Sequence, residues 1–367
     1  MAGSSSNASR KRKFHRKSRR GCKNCKLRRC TKCDETKPEC NNCCSYRVLC
    51  SYRSSAADLH VPSELITPAP TVGGDTTDWF ELDGQGVMSL MRFGAQTAVS
   101  ILDLDQRDVL QLAFSSPYLM HAILAVRAIH DRYQGNTLIT GSTPREAYHS
   151  FEGASLFNKT LSGPIPPEDR DTLWMAATYL GIVAFCSNIP ETPEESWPLK
   201  SDPSHLDRLR MTEAKMAIWE LANPLQPESL FRNMAEDFEE MYTPLQRGPV
   251  EGAPPALLRL CHITSSSSTA NNLYYAAVRV LAPFFDAKPG AVARSKLLSF
   301  ASQMQPGFRA LLYERDPIAL LLLAIWYEKS RSHIWWMRHR ATVVYQAISL
   351  YLRRCQGHNK AMMELLP

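Results

Sequence analysis

Long apolar runs are missing from this 367-residue chain. The longest, Ile318 to Tyr327 (IALLLLAIWY), is about half the length a bilayer span needs and reads as a buried helix, so no membrane span is expected. The first twenty residues are polar and basic with no apolar h-region, which argues against a secretory leader and for a reducing compartment. Acids are scarce at the start, with only Asp34, Glu35 and Glu39 among residues 1–53. Cysteines are scarce afterwards: Cys186, Cys261 and Cys355 are the only ones beyond position 50. No phosphate-binding glycine loop, nucleophile elbow or His-Glu-x-x-His helix occurs, so an enzyme is not expected. His121 and His130 lie on a predominantly apolar segment and read as packing or surface residues rather than catalytic ones. The acidic stretch Glu236 to Glu240 reads as a solvated helix face.

What is present is concentrated at the front. Residues 1–53 hold sixteen Lys or Arg, a net charge of +13, whereas the remainder is mildly acidic at −6, an asymmetry that points to a polyanion met by the head alone. Within that head, Cys22, Cys25, Cys33, Cys40, Cys43 and Cys50 follow the spacing Cys-x2-Cys-x7-Cys-x6-Cys-x2-Cys-x6-Cys. In a reducing compartment such a cluster binds metal in preference to forming disulfides. Six thiolates are too few for two separate four-sulfur zinc sites, but they suffice if two sulfurs bridge the metals. Leu27, Val48 and Leu49 are nearly the whole apolar content of residues 21–52, so only metal can supply folding energy there. Lys26, Leu27, Arg28 and Arg29 follow the first Cys-x2-Cys pair and would project near the end of a short helix, where a major groove can admit them. Arginine suits bidentate contact with guanine, and lysine suits phosphate and guanine alike.

These residues resemble the fungal Zn2Cys6 binuclear-cluster transcription factors, through GCKNCKLRR, then KCDETKPECNNC, then the final cysteine before Ser51-Tyr52. The resemblance implies two Zn2+ ions on six cysteines, with Cys22 and Cys40 bridging. It also implies double-stranded DNA as partner, read at CGG-like triplets. Matched from Cys25, the base-reading position falls on Arg29 with Arg28 beside it. Lys26, Lys32 and the arm residues His15, Arg16, Lys17, Arg19 and Arg20 would meet phosphate. A nuclear location and contact with transcription machinery or co-regulators follow from the same likeness. Eight Lys or Arg in residues 10–20 also suit nuclear import and phosphate contact.

The chain departs from that pattern in one place. Seven residues (KLRRCTK) separate the second and third cysteines where the family has six. A loop extension with Cys33 as ligand keeps Lys32-Cys33-Asp34-Glu35 in register. Cys30 as third ligand, with a tighter loop, and an error in the gene model are the other readings. If the insertion spoils the aim of Arg28 and Arg29, the protein becomes an interaction regulator with impaired DNA binding. Cys44 reads as a spectator thiol.

The organisation expected is a disordered basic arm (1–20), a zinc-cluster module (21–52), a flexible linker (53–77) and an α-helical regulatory domain (78–367), mostly α in class. Leu112, Leu119, Ile123, Val126 and Ile129 mark one buried helical face over Val109 to Tyr133, with a break at Pro117. Further helices are predicted over about 145–161, 168–187, 204–222, 229–242, 270–287, 291–313 and 317–355. Asp316-Pro317 offers an N-cap, and His333 to Trp336 a turn or packing knob within the last stretch. Trp326, Trp335 and Trp336 read as core. The segments SPYLMHAILAVRAIHD, LLLAIWYEKS and WWMRHRATVVYQAISLYL resemble the regulatory region of the sterol-uptake-control subgroup. That likeness implies a regulatory body, which in some members binds a sterol, so a small apolar ligand is a candidate partner.

Overall fold

The computed structural model describes residues 20–22, 25–26, 33–45, 50, 52, 71–72, 80–102, 104–135, 141–201, 206, 209, 211–243, 245, 248–286 and 294–367. The chain divides into two compact units between Pro70 and Thr71.

In the first unit the hydrophobic cluster consists of Cys22, Cys25, Cys33, Cys40, Cys43 and Cys50, with Tyr52 packed against them. Helical structure among its described residues is a turn at Cys25-Lys26 and helix α1, Asn41–Ser45. Helices this short have no stability of their own in water, so the sulfurs they carry must hold them in place.

A two-residue antiparallel ladder, β1 (Thr71–Val72) on β2 (Phe80–Glu81), opens the second unit. Thr71 and Val72 fall at the end of the stretch read as linker, whose other residues lie outside those described. From there the chain is helical, as expected for a mostly α protein. Helix α2 (Gly84–Arg92) is capped by the Asp83 carboxylate, which accepts from Gly86 N at 2.6 Å. The predicted break at Pro117 separates α3 (Gln106–Ser115) from α4 (Pro117–Gln134), because proline at the first helical position has no N–H to continue the ladder.

One buried face was expected on α4, yet every residue from Pro117 to Arg127 is buried. The cause is packing on several sides at once, by α2, α3, α5 (Pro144–Leu161) and α6 (Arg170–Cys186). Some of the polar groups caught inside are paired, while Tyr118 Oη and Arg127 Nε have no hydrogen-bond partner among the described residues. Arg127 donates to Thr97 Oγ1 at 2.9 Å and pairs with Asp131, and Arg132 grips Glu146 through two bonds of 3.0 and 2.8 Å. His121 and His149 meet Nδ1 to Nδ1 at 2.9 Å.

Helix α7 (Met211–Ala222) lies within the helix predicted over 204–222, of which residues 204–205, 207–208 and 210 lie outside those described. Two predicted helices are shorter than their apolar patterns, α8 (Ala235–Tyr242) and the pair α10 (Tyr275–Leu281) and α11 (Pro283–Asp286). Between α8 and α10 lies α9 (Pro255–Leu260). The stretch 291–313 splits at Pro306 into α12 (Arg294–Ser302) and α13 (Pro306–Tyr313). The long final stretch breaks as well. Helix α14 (Pro317–His333) begins at Asp316, whose carboxylate accepts from Ala319 N at 2.8 Å. It ends where Ile334 turns extended, and a tight turn at Trp335–Met337 leads into α15 (Arg338–Gln356), followed by α16 (Lys360–Leu365).

Ala319 to Tyr327 of α14 are buried throughout, which accounts for the ten-residue apolar run. Trp326 is 2% exposed, while Trp335 and Trp336 are half-buried. Trp336 packs against both hydrophobic cores of the unit, one built on α4–α6 and the other on α14–α15. Arg340, 1% exposed, fastens the same junction by donating to the carbonyls of Phe185 and Ser187 at 2.6 and 2.5 Å. No helix among the described residues is long and apolar enough to cross a membrane.

Candidate metal centre and helical cavity

Each Cys-x2-Cys pair of the first unit opens a helical turn. Lys26 N donates to the Cys22 carbonyl at 3.2 Å, and Cys44 N donates to the Cys40 carbonyl at 3.1 Å. The first cysteine of each pair thus accepts an N–H bond on sulfur from the second, Cys25 N to Cys22 Sγ at 3.3 Å and Cys43 N to Cys40 Sγ at 3.4 Å. The third cysteine of each half accepts from the first: Cys22 N to Cys33 Sγ and Cys40 N to Cys50 Sγ, both 3.4 Å. Cys22, Cys25 and Cys33 therefore repeat the sulfur arrangement of Cys40, Cys43 and Cys50, although the sequence shows no repeat beyond the cysteines. In this correspondence Cys33 matches Cys50. Cys30 lies outside the described residues.

The thiols fall into two sets, Cys22, Cys25, Cys33, Cys40 and Cys22, Cys40, Cys43, Cys50, each with its sulfurs within 4.8 Å of one another and all buried. Cys22 and Cys40 belong to both. Sulfur–sulfur distances of 3.7 Å (Cys22–Cys40), 3.6 Å (Cys22–Cys43) and 3.7 Å (Cys25–Cys40) match the roughly 3.8 Å edge of a tetrahedron with zinc–sulfur bonds of about 2.3 Å. The donor set fits zinc, since soft thiolates in tetrahedral array favour it.

Electrostatics agree with that fit. Burial pushes the thiols of Cys40 and Cys43 well up and that of Cys25 to about 11. At Cys33 and Cys50 burial acts in the same direction. The N–H groups of Cys22 and Glu35 at one, and of Cys40 and Tyr52 at the other, outweigh it and hold both below the ordinary thiol range. Crowded buried thiols that resist ionisation are what a dication is needed to settle.

Two flanking residues that were not singled out from sequence complete the module. The Tyr52 hydroxyl donates to the Arg20 carbonyl and lies 3.9 Å from Cys33 Sγ, tying the end of the module to its start. The exposed Asp34 carboxylate accepts from Thr36 Oγ1 and from Asn41 N at 3.1 Å, bracing the entry to α1, and these bonds lower its pKa. Their positions beside Cys33 and Cys50 were the available signal. Cys44 is exposed, with its thiol 3.6 Å from Glu39 Oε2 and outside both sulfur sets. Of the candidate DNA contacts, Lys26 and Arg20 are exposed; His15, Arg16, Lys17, Arg19, Arg28, Arg29 and Lys32 lie outside the described residues.

The second unit contains a half-open cavity of about 1450 Å³ between α5, α6, α7, α8 and α12. Its walls are mostly apolar, with Phe151, Phe157, Leu180, Ile218, Phe238 and Met241 among them, and Lys215 at one side. Nothing in the sequence marks it, because the lining residues come from six helices, α14 with Trp326 included, and from the turns between them.

A small thiolate-cluster module and a separate helical body define the class of protein. No family model matches the chain. It is 32% identical over 127 residues to a Zn(2)-C6 fungal-type transcription factor of Aspergillus fumigatus, covering 32% of this chain and 33% of that protein. A Zn(2)-C6 fungal-type transcription factor of Gibberella zeae is 23% identical over 89% of this chain and 80% of its own length. Sterol uptake control protein 2 of Candida albicans is 50% identical over 56 residues, 15% of this chain and 7% of that protein. The matches thus span a third of the first relative, four fifths of the second and a small part of the third. The chain resembles fungal Zn2Cys6 factors, the sterol-uptake subgroup among them. Together with the converging cysteines, these likenesses support a fungal Zn2Cys6 transcription factor.

Proposed function

We propose that the protein is a sequence-specific, DNA-binding regulator of RNA polymerase II genes that acts in the nucleus through two bound zinc ions. The observation that carries this reading is the pair of four-thiol sets sharing Cys22 and Cys40. One ion would be held by Cys22, Cys25, Cys33 and Cys40 and the other by Cys22, Cys40, Cys43 and Cys50. Zinc supplies the folding energy that this apolar-poor segment lacks.

The chain's own residues do the rest. The turn after Cys25 carries Lys26, and Arg28 and Arg29 follow it in sequence, to be presented to a CGG-like triplet in the major groove. Lys26, Lys32, His15, Arg16, Lys17, Arg19 and Arg20 neutralise phosphates, so binding weakens steeply with salt. The helical body is the regulatory part, contacting co-regulators and taking an apolar ligand in its cavity.

Binding of the zinc-loaded protein to triplet-containing duplexes by fluorescence anisotropy tests this. Arg29→Ala should cost about 1–3 kcal/mol on the preferred triplet and relax preference there, whereas Arg16→Ala should weaken all duplexes about equally. A site selection with wild-type protein that returns no triplet would sink the claim of specificity. The extra residue between Cys25 and Cys33 favours one other reading, an interaction regulator with impaired DNA binding. A fully zinc-loaded protein that shifts no duplex at low salt would favour it.

A further inference from the structure

Lys215 is part-buried and faces the cavity, with no anion beside it among the described residues. Its ammonium lies 4.5 Å from the centroid of the Trp174 ring. That ring is fully buried and braced edge-on by Trp219 at 5.3 Å and Phe238 at 5.6 Å. Among the described residues Lys215 has no hydrogen-bond or ion-pair partner. Other inward cations of the same unit are treated differently: Arg127 has Asp131, Arg132 has Glu146, and Arg340 has two backbone carbonyls. A cation–π contact offsets only part of the lost hydration. Burial accordingly draws the Lys215 pKa down to about 8, which leaves it mainly charged at neutral pH. An unpaired charge beside an apolar space is costly, and a bound anion removes that cost.

The charges of the lining narrow the choice of anion. Among the described lining residues the ionised groups are Lys215, Arg294 and Asp237, and Arg294 is already engaged with the Ser100 carbonyl at the exposed rim. Among these described groups, a single cation without an oxygen partner and an acid at the rim suit a monoanion and disfavour a phosphate dianion. The volume of about 1450 Å³ exceeds the ~300–1,000 Å³ of ordinary small-molecule sites, so the apolar remainder of the ligand must be long or polycyclic.

We infer that the cavity binds an amphipathic monocarboxylate, with its carboxylate on Lys215 Nζ and its hydrocarbon along Phe157, Leu180, Ile218 and Met241. The inference rests on the reading of the body as a ligand-holding domain and adds the chemical class of the ligand. It assigns Lys215 the discrimination between an acid and its neutral counterpart.

Full-length zinc-loaded protein is titrated at pH 7 with palmitate and with hexadecanol, which share a chain and differ in charge, following tryptophan fluorescence. Palmitate should bind at least ten-fold more tightly. Lys215→Met should erase that preference while keeping hexadecanol binding, and Lys215→Arg should retain it. In wild-type protein the preference should shrink above pH 8, as the lysine loses its proton. Equal binding of acid and alcohol by the wild type, or a preference that survives Lys215→Met or is unchanged from pH 7 to 9.5, overturns the assignment of Lys215 and leaves the apolar-ligand reading standing. Binding of neither overturns both, and leaves the DNA-binding module untouched.

Discussion

The two units of this protein are stabilised by opposite means. In the module, residues 21–52, the six cysteines form nearly the whole buried cluster, and two of them serve both sulfur sets. In the body, buried leucines, aromatics and alanines on α4, α6, α14 and α15 form two apolar cores joined at Trp336 and Arg340. One unit is conditional on an ion from outside, and the other carries its own driving force. They should therefore fail independently.

The largest separation is expected from Cys40→Ser. It removes a sulfur shared by both sets, so zinc content by mass spectrometry should fall from two ions to one or none and DNA binding should be lost, with the body's thermal midpoint unchanged. Parallel loss of the body would break the comparison. Trp326→Ala is the converse change. Trp326 is buried, stacks on Phe300 at 5.1 Å and donates to the Leu297 carbonyl at 2.8 Å, so its removal should cost the body about 3–5 kcal/mol in urea unfolding while zinc content holds.

Acid should separate the units by a smaller margin. Burial, with a contribution from His149, lowers His121 to about 3, and burial with Arg145 nearby lowers His149 to about 4. Both lie below the ~6.5 of an unfolded histidine. Between those values the unfolded chain binds more protons than the folded one. The contribution is thus intact above about pH 6.5 and lost as pH falls towards 4. Roughly 2 kcal/mol per histidine between pH 7 and 5 is expected. His149→Gln should about halve the slope; an unchanged slope would remove the pair from the account. The smallest effect sharpens the module itself. Cys33→Ser should lower zinc content, whereas Cys30→Ser should leave it at the wild-type value; the reverse result would move the third ligand to Cys30.

Much of the architecture was legible because local chemistry decides it. Proline at positions 117 and 317 cannot continue a preceding helix, and Asp316 next to Pro317 is a complete start signal. Pro306 breaks the stretch 291–313 for the same reason, although that stretch was expected to be one helix. The break at Ile334 was less legible, since no proline marks it. It follows from α14 and α15 packing back on one another around Trp335–Met337. The two Cys-x2-Cys pairs, each followed by a third cysteine, were legible in the spacing, and the matching N–H to sulfur bonds make them structural equivalents despite x7 against x6. His121 was read as a packing or surface residue; it is buried, and its partner His149 lies 28 positions away on another helix.

Sequence alone determined the metal chemistry and the mostly helical class. A thiolate's affinity for zinc and a helix's periodic burial are properties of residue type and spacing, and both survive an inserted residue. Tertiary structure alone decided which cations find oxygen acceptors and where space is left over. Those outcomes depend on distances between residues far apart in the chain, and spacing along a sequence carries no such distance.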